Sequence, residues 1–169
     1  MKNVLIAAGC TLLTAACATV EPDGPGATAL VRPASGSQVH GEAKFTQVGN
    51  RVRVTAEIAG LSPGAHGFHI HEKGDCSAAD AMSTGGHFNP QAKKHGAPNT
   101  PDRHAGDLGN LTADEYGKAT LALIVDGISV GKGTDSIIGR GLIVHANADD
   151  LKTDPTGNAG GRVGCGVIE

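Results

Sequence analysis

The chain has 169 residues, 39% of them apolar, which suits one domain with one buried core. The formal net charge of -3, with no long run of like charge, gives no footprint for a polyanion. Only 2% of residues are aromatic, with no Trp, so the stacking platforms that bind single-stranded nucleic acid are missing and no nucleic-acid partner is expected.

The chain opens on Met1-Lys2-Asn3, a short basic start, followed by the mostly apolar stretch from Val4 to Leu13 and the small residues Thr14-Ala15-Ala16. This is the layout of an export signal over residues 1–16, too short to span a membrane permanently. Thr14-Ala15-Ala16-Cys17 resembles a bacterial lipoprotein cleavage box, with Thr14 where that pattern usually has Leu. The expectation is a lipid anchor on Cys17 and a periplasmic or cell-envelope location; ordinary cleavage after Ala18, giving a soluble secreted product, is the alternative. Cys10 leaves with the signal and Cys17 is occupied if lipidated. Cys76 and Cys165 remain, and two thiols in an oxidising compartment imply one disulfide. Two buried free thiols are the alternative to it.

Residues 17–26, with Glu21-Pro22-Asp23-Gly24-Pro25-Gly26, read as a flexible tether, and the domain proper as residues 27–169. Strand-type runs follow at 27–32 and 39–48. After a Gly49-Asn50 turn, Arg51 to Ile58 alternates polar and apolar with period two, one wet face and one buried face. Ser62-Pro63-Gly64 is a turn, and Gly67 to His71 a strand. Residues 72–110 are rich in Gly, Pro, Asn, His and Lys and show no lasting periodicity. So long a structureless stretch is uncommon in a compact domain, so metal ligation and a disulfide are expected to hold it. Further strands are expected at 118–125, 142–145 and 162–168, with a second polar loop at 147–162. Short strands, many turns and no convincing helix indicate an all-β sandwich or barrel.

The histidines carry the chemistry. His69 and His71 stand at i and i+2, so on a strand both imidazoles face one side. His87, His95, His104 and Asp107 lie within the long loop, three imidazoles and a carboxylate that suit a closed four-coordinate zinc. His145 ends the apolar run Leu142-Ile143-Val144. Six such imidazoles exceed the needs of one ion, and imidazole ligation without a thiolate set suits copper and zinc.

The motifs Gly67-Phe68-His69-Ile70-His71-Glu72, Gly86-His87-Phe88-Asn89-Pro90, Lys94-His95-Gly96, Arg103-His104-Ala105-Gly106-Asp107-Leu108-Gly109-Asn110, Ile138-Gly139-Arg140, Val144-His145, Asp149-Asp150 and Gly157-Asn158-Ala159-Gly160-Gly161-Arg162-Val163-Gly164-Cys165-Gly166-Val167-Ile168 closely resemble the copper/zinc superoxide dismutases. The likeness runs in order from about residue 27 to 168. It implies an eight-stranded antiparallel Greek-key barrel or sandwich with two long functional loops. It implies one copper on His69, His71, His87 and His145, and one zinc on His87, His95, His104 and Asp107, with His87 shared. Asp149 is then the carboxylate joining His69 to His95, Cys76–Cys165 the family disulfide, and Arg162 the arginine beside copper. His66 matches no ligand position and reads as structural, His40 as a surface residue.

The implied reaction turns two superoxide ions into dioxygen and hydrogen peroxide as copper cycles between Cu(II) and Cu(I), with His87 carrying a proton and zinc structural. The chain departs from the animal and plant pattern in a shorter segment between His145 and Arg162. Asn147 and Pro155 stand where lysines are frequent in that pattern, so steering of the anion is expected to rest on Arg162 with Lys73 or Lys152. A copper-binding or chaperone-like relative without catalysis is the alternative. A purely structural lipoprotein is a third reading. Whether the protein is a monomer or a homodimer is left open by the strands. Cells fed radioactive palmitate are expected to yield a labelled mature protein, and a Cys17→Ala variant an unlabelled one; label absent from the parent counts against the anchor.

Overall fold

The computed structural model describes residues 23–169, so the expected export signal, Cys17 and the first part of the tether lie outside the described residues. Eight strands form one antiparallel sheet: β1 Asp23–Pro33, β2 His40–Val48, β3 Arg51–Ala59, β4 Gly64–His71, β5 Asp107–Ala113, β6 Ala119–Val125, β7 Gly141–His145 and β8 Arg162–Val167. Their order is β5-β4-β7-β8-β1-β2-β3-β6. The turn Asp114–Lys118 links the outermost strands β5 and β6, and the sheet curls into a nearly closed barrel. Two connections, β3 to β4 and β6 to β7, cross between strands that are not neighbours, which makes the topology Greek-key.

The pattern behind these strands is period two. Val52, Val54, Ala56 and Ile58 of β3 are buried and meet Phe45 and Ala43 of β2 in the barrel interior. Phe68 and Ile70 of β4 join the same core with Leu108 and Leu111 of β5 and Leu142 and Val144 of β7. Because Phe68 and Ile70 point inward, His69 and His71 point outward, away from the core. Yet all four are fully buried. The outer face of β4 is covered by the loop that follows it.

Two expectations needed correction. Residues 23–26, read as tether, belong to β1: Asp23 pairs with Val48 and Gly26 with Thr46, with a register shift between them. Pro25 sits in that irregular stretch, where the missing N–H costs no ladder bond. Asp23 also meets Arg53 at 2.9 Å across the sheet edge. The second miss is β5, which lies partly inside the stretch read as structureless. Gly109 adopts φ +79° and the β4–β5 register shifts between Gly67 and His69, so the alternation that marks a strand is broken.

Loop 72–106 contains only one short 3-10 turn, Met82–Thr84. It is fastened at both ends by covalent and backbone bonds. Cys76 is joined to Cys165 of β8, closing 89 residues of chain. Among the described residues no helix is long and apolar enough to cross a membrane. The chain-entropy treatment of a loop this long assigns the bridge about 4.5 kcal/mol. The Cys76→Ala, Cys165→Ala double variant is expected to lose stability of that order in urea unfolding under non-reducing conditions; a loss below about 1 kcal/mol would show that the loop is held without it.

Candidate metal centre

Loop histidines reach the barrel because backbone bonds stitch their segments to β4. Phe88 N donates to Ile70 O at 2.8 Å, Ile70 N to Gly106 O at 2.9 Å, and Gly106 N to Phe88 O at 2.9 Å. Glu72 N donates to Gly86 O, and His71 bridges to His87. Segments 86–88 and 104–106 thus lie against the outer edge of the strand that carries His69 and His71. Gly106 is required there, since a Cβ would stand 2.2 Å from Ile70 O. His145 arrives from β7, whose Val144 pairs with Phe68.

Two sets of donor atoms result: His69, His71, His87 and His145, and His87, His95, His104 and Asp107, each with its atoms within 4.8 Å of one another. All seven residues are buried. In the second set Asp107 Oδ1 lies 2.9 Å from His87 Nδ1, 3.1 Å from His95 Nδ1 and 3.4 Å from His104 Nδ1. His104 Nδ1 and His87 Nδ1 are 3.3 Å apart. Four ligands about 2.0–2.1 Å from one ion at tetrahedral angles stand about 3.3 Å from each other. The second set therefore has the size of a tetrahedral zinc site.

Hydrogen bonds choose which nitrogen of each ring is bare. Asp149 accepts from His69 Nε2 and from His95 Nε2, both at 2.8 Å, which turns each Nδ1 toward the site. His71 Nδ1 donates to Gly85 O at 3.0 Å and His145 Nδ1 to Gly160 O at 3.1 Å, leaving each Nε2 bare. His87 presents Nδ1 to the Asp107 set and Nε2 to the other, so one ring serves both. Among the described residues, the buried side-chain polar atoms lacking any hydrogen-bond partner are Ser129 Oγ and five of these nitrogens: His69 Nδ1, His71 Nε2, His87 Nε2, His95 Nδ1 and His145 Nε2. Orphaned lone pairs that converge are what a metal ion satisfies, so the residues present fit the two ions.

Protonation agrees. Burial, then repulsion from neighbouring rings, holds His145 at about 3 and His71 well below the usual imidazole range. Burial outweighs the hydrogen bond to Asp107 and brings His87 to about 4, and burial also lowers His69. These rings are neutral, the form that ligates metal. His95 differs: burial opposes its charge, but its carboxylate neighbours Asp107 and Asp149 outweigh burial and raise it to about 10. Burial would raise both carboxyl groups too. Hydrogen bonds from His104, His87 and His95 nevertheless hold Asp107, and those from His69 and His95 hold Asp149, well below the carboxylate range. The Asp107 end of the site is negative and calls for a cation.

Arg162 stands beside His71, since both donate to Gly85 O. Its guanidinium also bonds Ala81 O and Thr84 Oγ1, each at 2.8 Å. The expected Cys76–Cys165 bridge is present, on the same loop. His66 is buried outside both sets, donating from Nδ1 to His145 O at 2.8 Å, and His40 is exposed. Several supporting residues were not legible beforehand. Asn110 grips the backbone of Asp149 twice, Asp154 accepts from His95 N, and Thr84 touches Arg162. Asp154 and Thr84 are ordinary polar residues that no local pattern marks; Asn110 closes the motif that begins at Arg103, but its partner lies 39 positions away and nothing local assigns the contact.

The family model described as copper/zinc superoxide dismutase (SODC) matches residues 39–168. The chain belongs to the copper/zinc superoxide dismutase family. A solved structure titled as that of the clock protein EA4 is similar, with a TM-score of 0.77 and 47% identity, covering 85% of this chain and 92% of that one. The two histidine groups of this member are compatible with copper and zinc binding.

The Asp149 bridge has a geometric weak point. Gly157 has φ +62°, and a Cβ there would sit 1.8 Å from Asp149 Oδ1 and 2.6 Å from His95 Nε2. Gly157→Ala must displace the carboxylate that orients two rings. A loss of zinc affinity of about 10–100-fold is expected in chelator competition. Parent-like zinc retention in that variant would mean that Asp149 does not organise the site.

Proposed function

We propose that this protein is a superoxide dismutase, converting two superoxide ions and two protons to dioxygen and hydrogen peroxide. The observation that carries the reading is the convergence of His69 Nδ1, His71 Nε2, His87 Nε2 and His145 Nε2, all unpartnered, beside the guanidinium of Arg162. Those four rings would hold copper; His87, His95, His104 and Asp107 would hold zinc. Copper held there would supply one-electron redox chemistry, and zinc held there would be redox-inert.

The chain's own residues do the rest. Arg162 spends three of its five N–H groups on Ala81 O, Thr84 Oγ1 and Gly85 O, so its plane is fixed. Its Nε–H and one Nη2–H remain for a small anion, and a planar fork that never loses its charge suits that role better than a lysine. His87 is the ring that presents one nitrogen to each set; with Nδ1 committed at the Asp107 side, its Nε2, whenever it is not holding metal, is the atom at which a proton is held and passed on. The net charge of -3 opposes an anionic substrate, so capture rests on a local positive field. Arg162 supplies it at the site, and exposed Lys73 and Lys152 on the flanking loops extend it. The cell-envelope location and the lipid anchor at Cys17 belong to this reading, supported by a disulfide that needs an oxidising compartment.

A second reading, a copper-binding relative without catalysis, is favoured by one finding: the 47% identical neighbour is titled a clock protein. The deciding experiment measures metal content and superoxide consumption together. One copper and one zinc per chain with rapid superoxide consumption are expected. His145→Ala should lose copper and activity while keeping zinc. Full occupancy by both metals without consumption of superoxide would overturn the enzyme in favour of the binding protein.

A further inference from the structure

Thr84 closes the 3-10 turn and is fully buried. Its backbone is held on both sides, with N donating to Ala81 O at 3.2 Å and O accepting from Lys73 N at 3.0 Å. Its methyl group faces Gly141, where an added Cβ would come within 3.0 Å of Cγ2. The hydroxyl therefore has one orientation. It gives its proton to Ala81 O at 2.9 Å, which leaves its lone pairs facing Arg162 and His71. Arg162 Nη1 donates to it at 2.8 Å, and His71 Nδ1 lies 3.4 Å away.

Gly85 O accepts from the same two residues, at 2.7 Å from Arg162 Nη2 and 3.0 Å from His71 Nδ1. Two adjacent acceptors thus form a shelf that both side chains share. One is a main-chain carbonyl that every residue provides. The other exists only because position 84 carries a hydroxyl. Without the hydroxyl, Nη2 and Nη1 would keep one acceptor each, Gly85 O and Ala81 O, and the guanidinium could rock about the line between them. The hydroxyl removes that motion and fixes the direction of the free Nε–H and Nη2–H.

We propose that the Thr84 hydroxyl is a positioning group for anion recognition: it locks the guanidinium of Arg162 in register with His71, so that the anion fork and a metal-facing nitrogen are set by one side chain. The inference rests on the reading of Arg162 as the group that receives the anion.

Thr84→Val keeps shape and removes the hydroxyl; Thr84→Ser keeps the hydroxyl and removes the methyl. A packing role would be rescued by Val and damaged by Ser, and a hydroxyl role the reverse. Two measurements read it. In the protein as purified, the rate at which phenylglyoxal modifies Arg162, followed by mass spectrometry, is expected to rise severalfold in Thr84→Val and stay at the parent rate in Thr84→Ser. In the copper- and zinc-loaded protein, azide affinity from the charge-transfer band is expected to fall about tenfold in Thr84→Val and to be restored in Thr84→Ser, as for loss of a hydrogen bond to a charged group. Should Thr84→Val fold poorly, Thr84→Ala serves in its place. Equal modification rates in parent and hydroxyl-free variants sink the proposal. A parent that takes up no copper would sink the enzyme reading instead, while the modification rates still decide the role of Thr84.

Discussion

Five imidazole nitrogens, buried and without a hydrogen-bond partner, converge outside the barrel wall, and the rest of the architecture serves to keep them there. An unpaired buried polar atom costs free energy, and five in one place would be hard to sustain in any fold lacking a way to cover them. Three are kept bare by the far side of the ring. Asp149, Gly85 O and Gly160 O take the proton of His69, His71 and His145, and burial keeps these rings neutral, so the near side offers a lone pair. Metal binding and folding would thereby be linked, with ions held there supplying the partners that the protein withholds.

The barrel contributes rigidity more than chemistry. Its interior is apolar and its ladders regular, so β4 and β7 present His69, His71 and His145 with little freedom. The remaining imidazoles come from a loop with almost no secondary structure of its own, and Asp107 opens β5 directly after it. That loop is kept in place by a short ladder onto Ile70, by the covalent bridge to β8, and by Arg103, buried and bonded to Pro98 O, His104 O and Asp126. Asp107 shows how tightly the parts are joined. Its Oδ2 accepts from Gly96 N and His104 N, which fixes the carboxylate, while Oδ1 faces three imidazoles.

Charge is divided unequally across the site. Around Asp107 and Asp149 two carboxylates sit among four rings, His69, His87, His95 and His104, and the two that flank His95 raise it far above an ordinary imidazole. At the other set no carboxylate touches His71 or His145, and Arg162 adds positive charge. One pole is thus suited to hold a cation permanently, and the other to admit an anion. His87, with a nitrogen in each set, is the only ring that belongs to both.

Much of this was legible in the chain itself. Strand-type runs between turn residues located seven strands, most clearly at Arg51 to Ile58, where a half-buried strand alternates with period two. Candidate ligands were legible too: His-x-His alone is a weak signal, but six imidazoles with Asp107 exceed what a solvated loop would show, and the motifs of the family fall in order from Gly67 to Ile168. β5 escaped because a positive-φ glycine and a register shift interrupt its alternation, and the first residues of β1 because Gly and Pro there look like a linker. What only the tertiary structure decided is which nitrogen each ring exposes, and which unremarkable residues hold it so. Thr84, Asn110, Asp154 and Gly157 act on partners tens of residues away, or at contact distances set by the closed loop. A side chain's type is written in the sequence, but the tautomer and direction of an imidazole depend on the atom that folding brings to its far side.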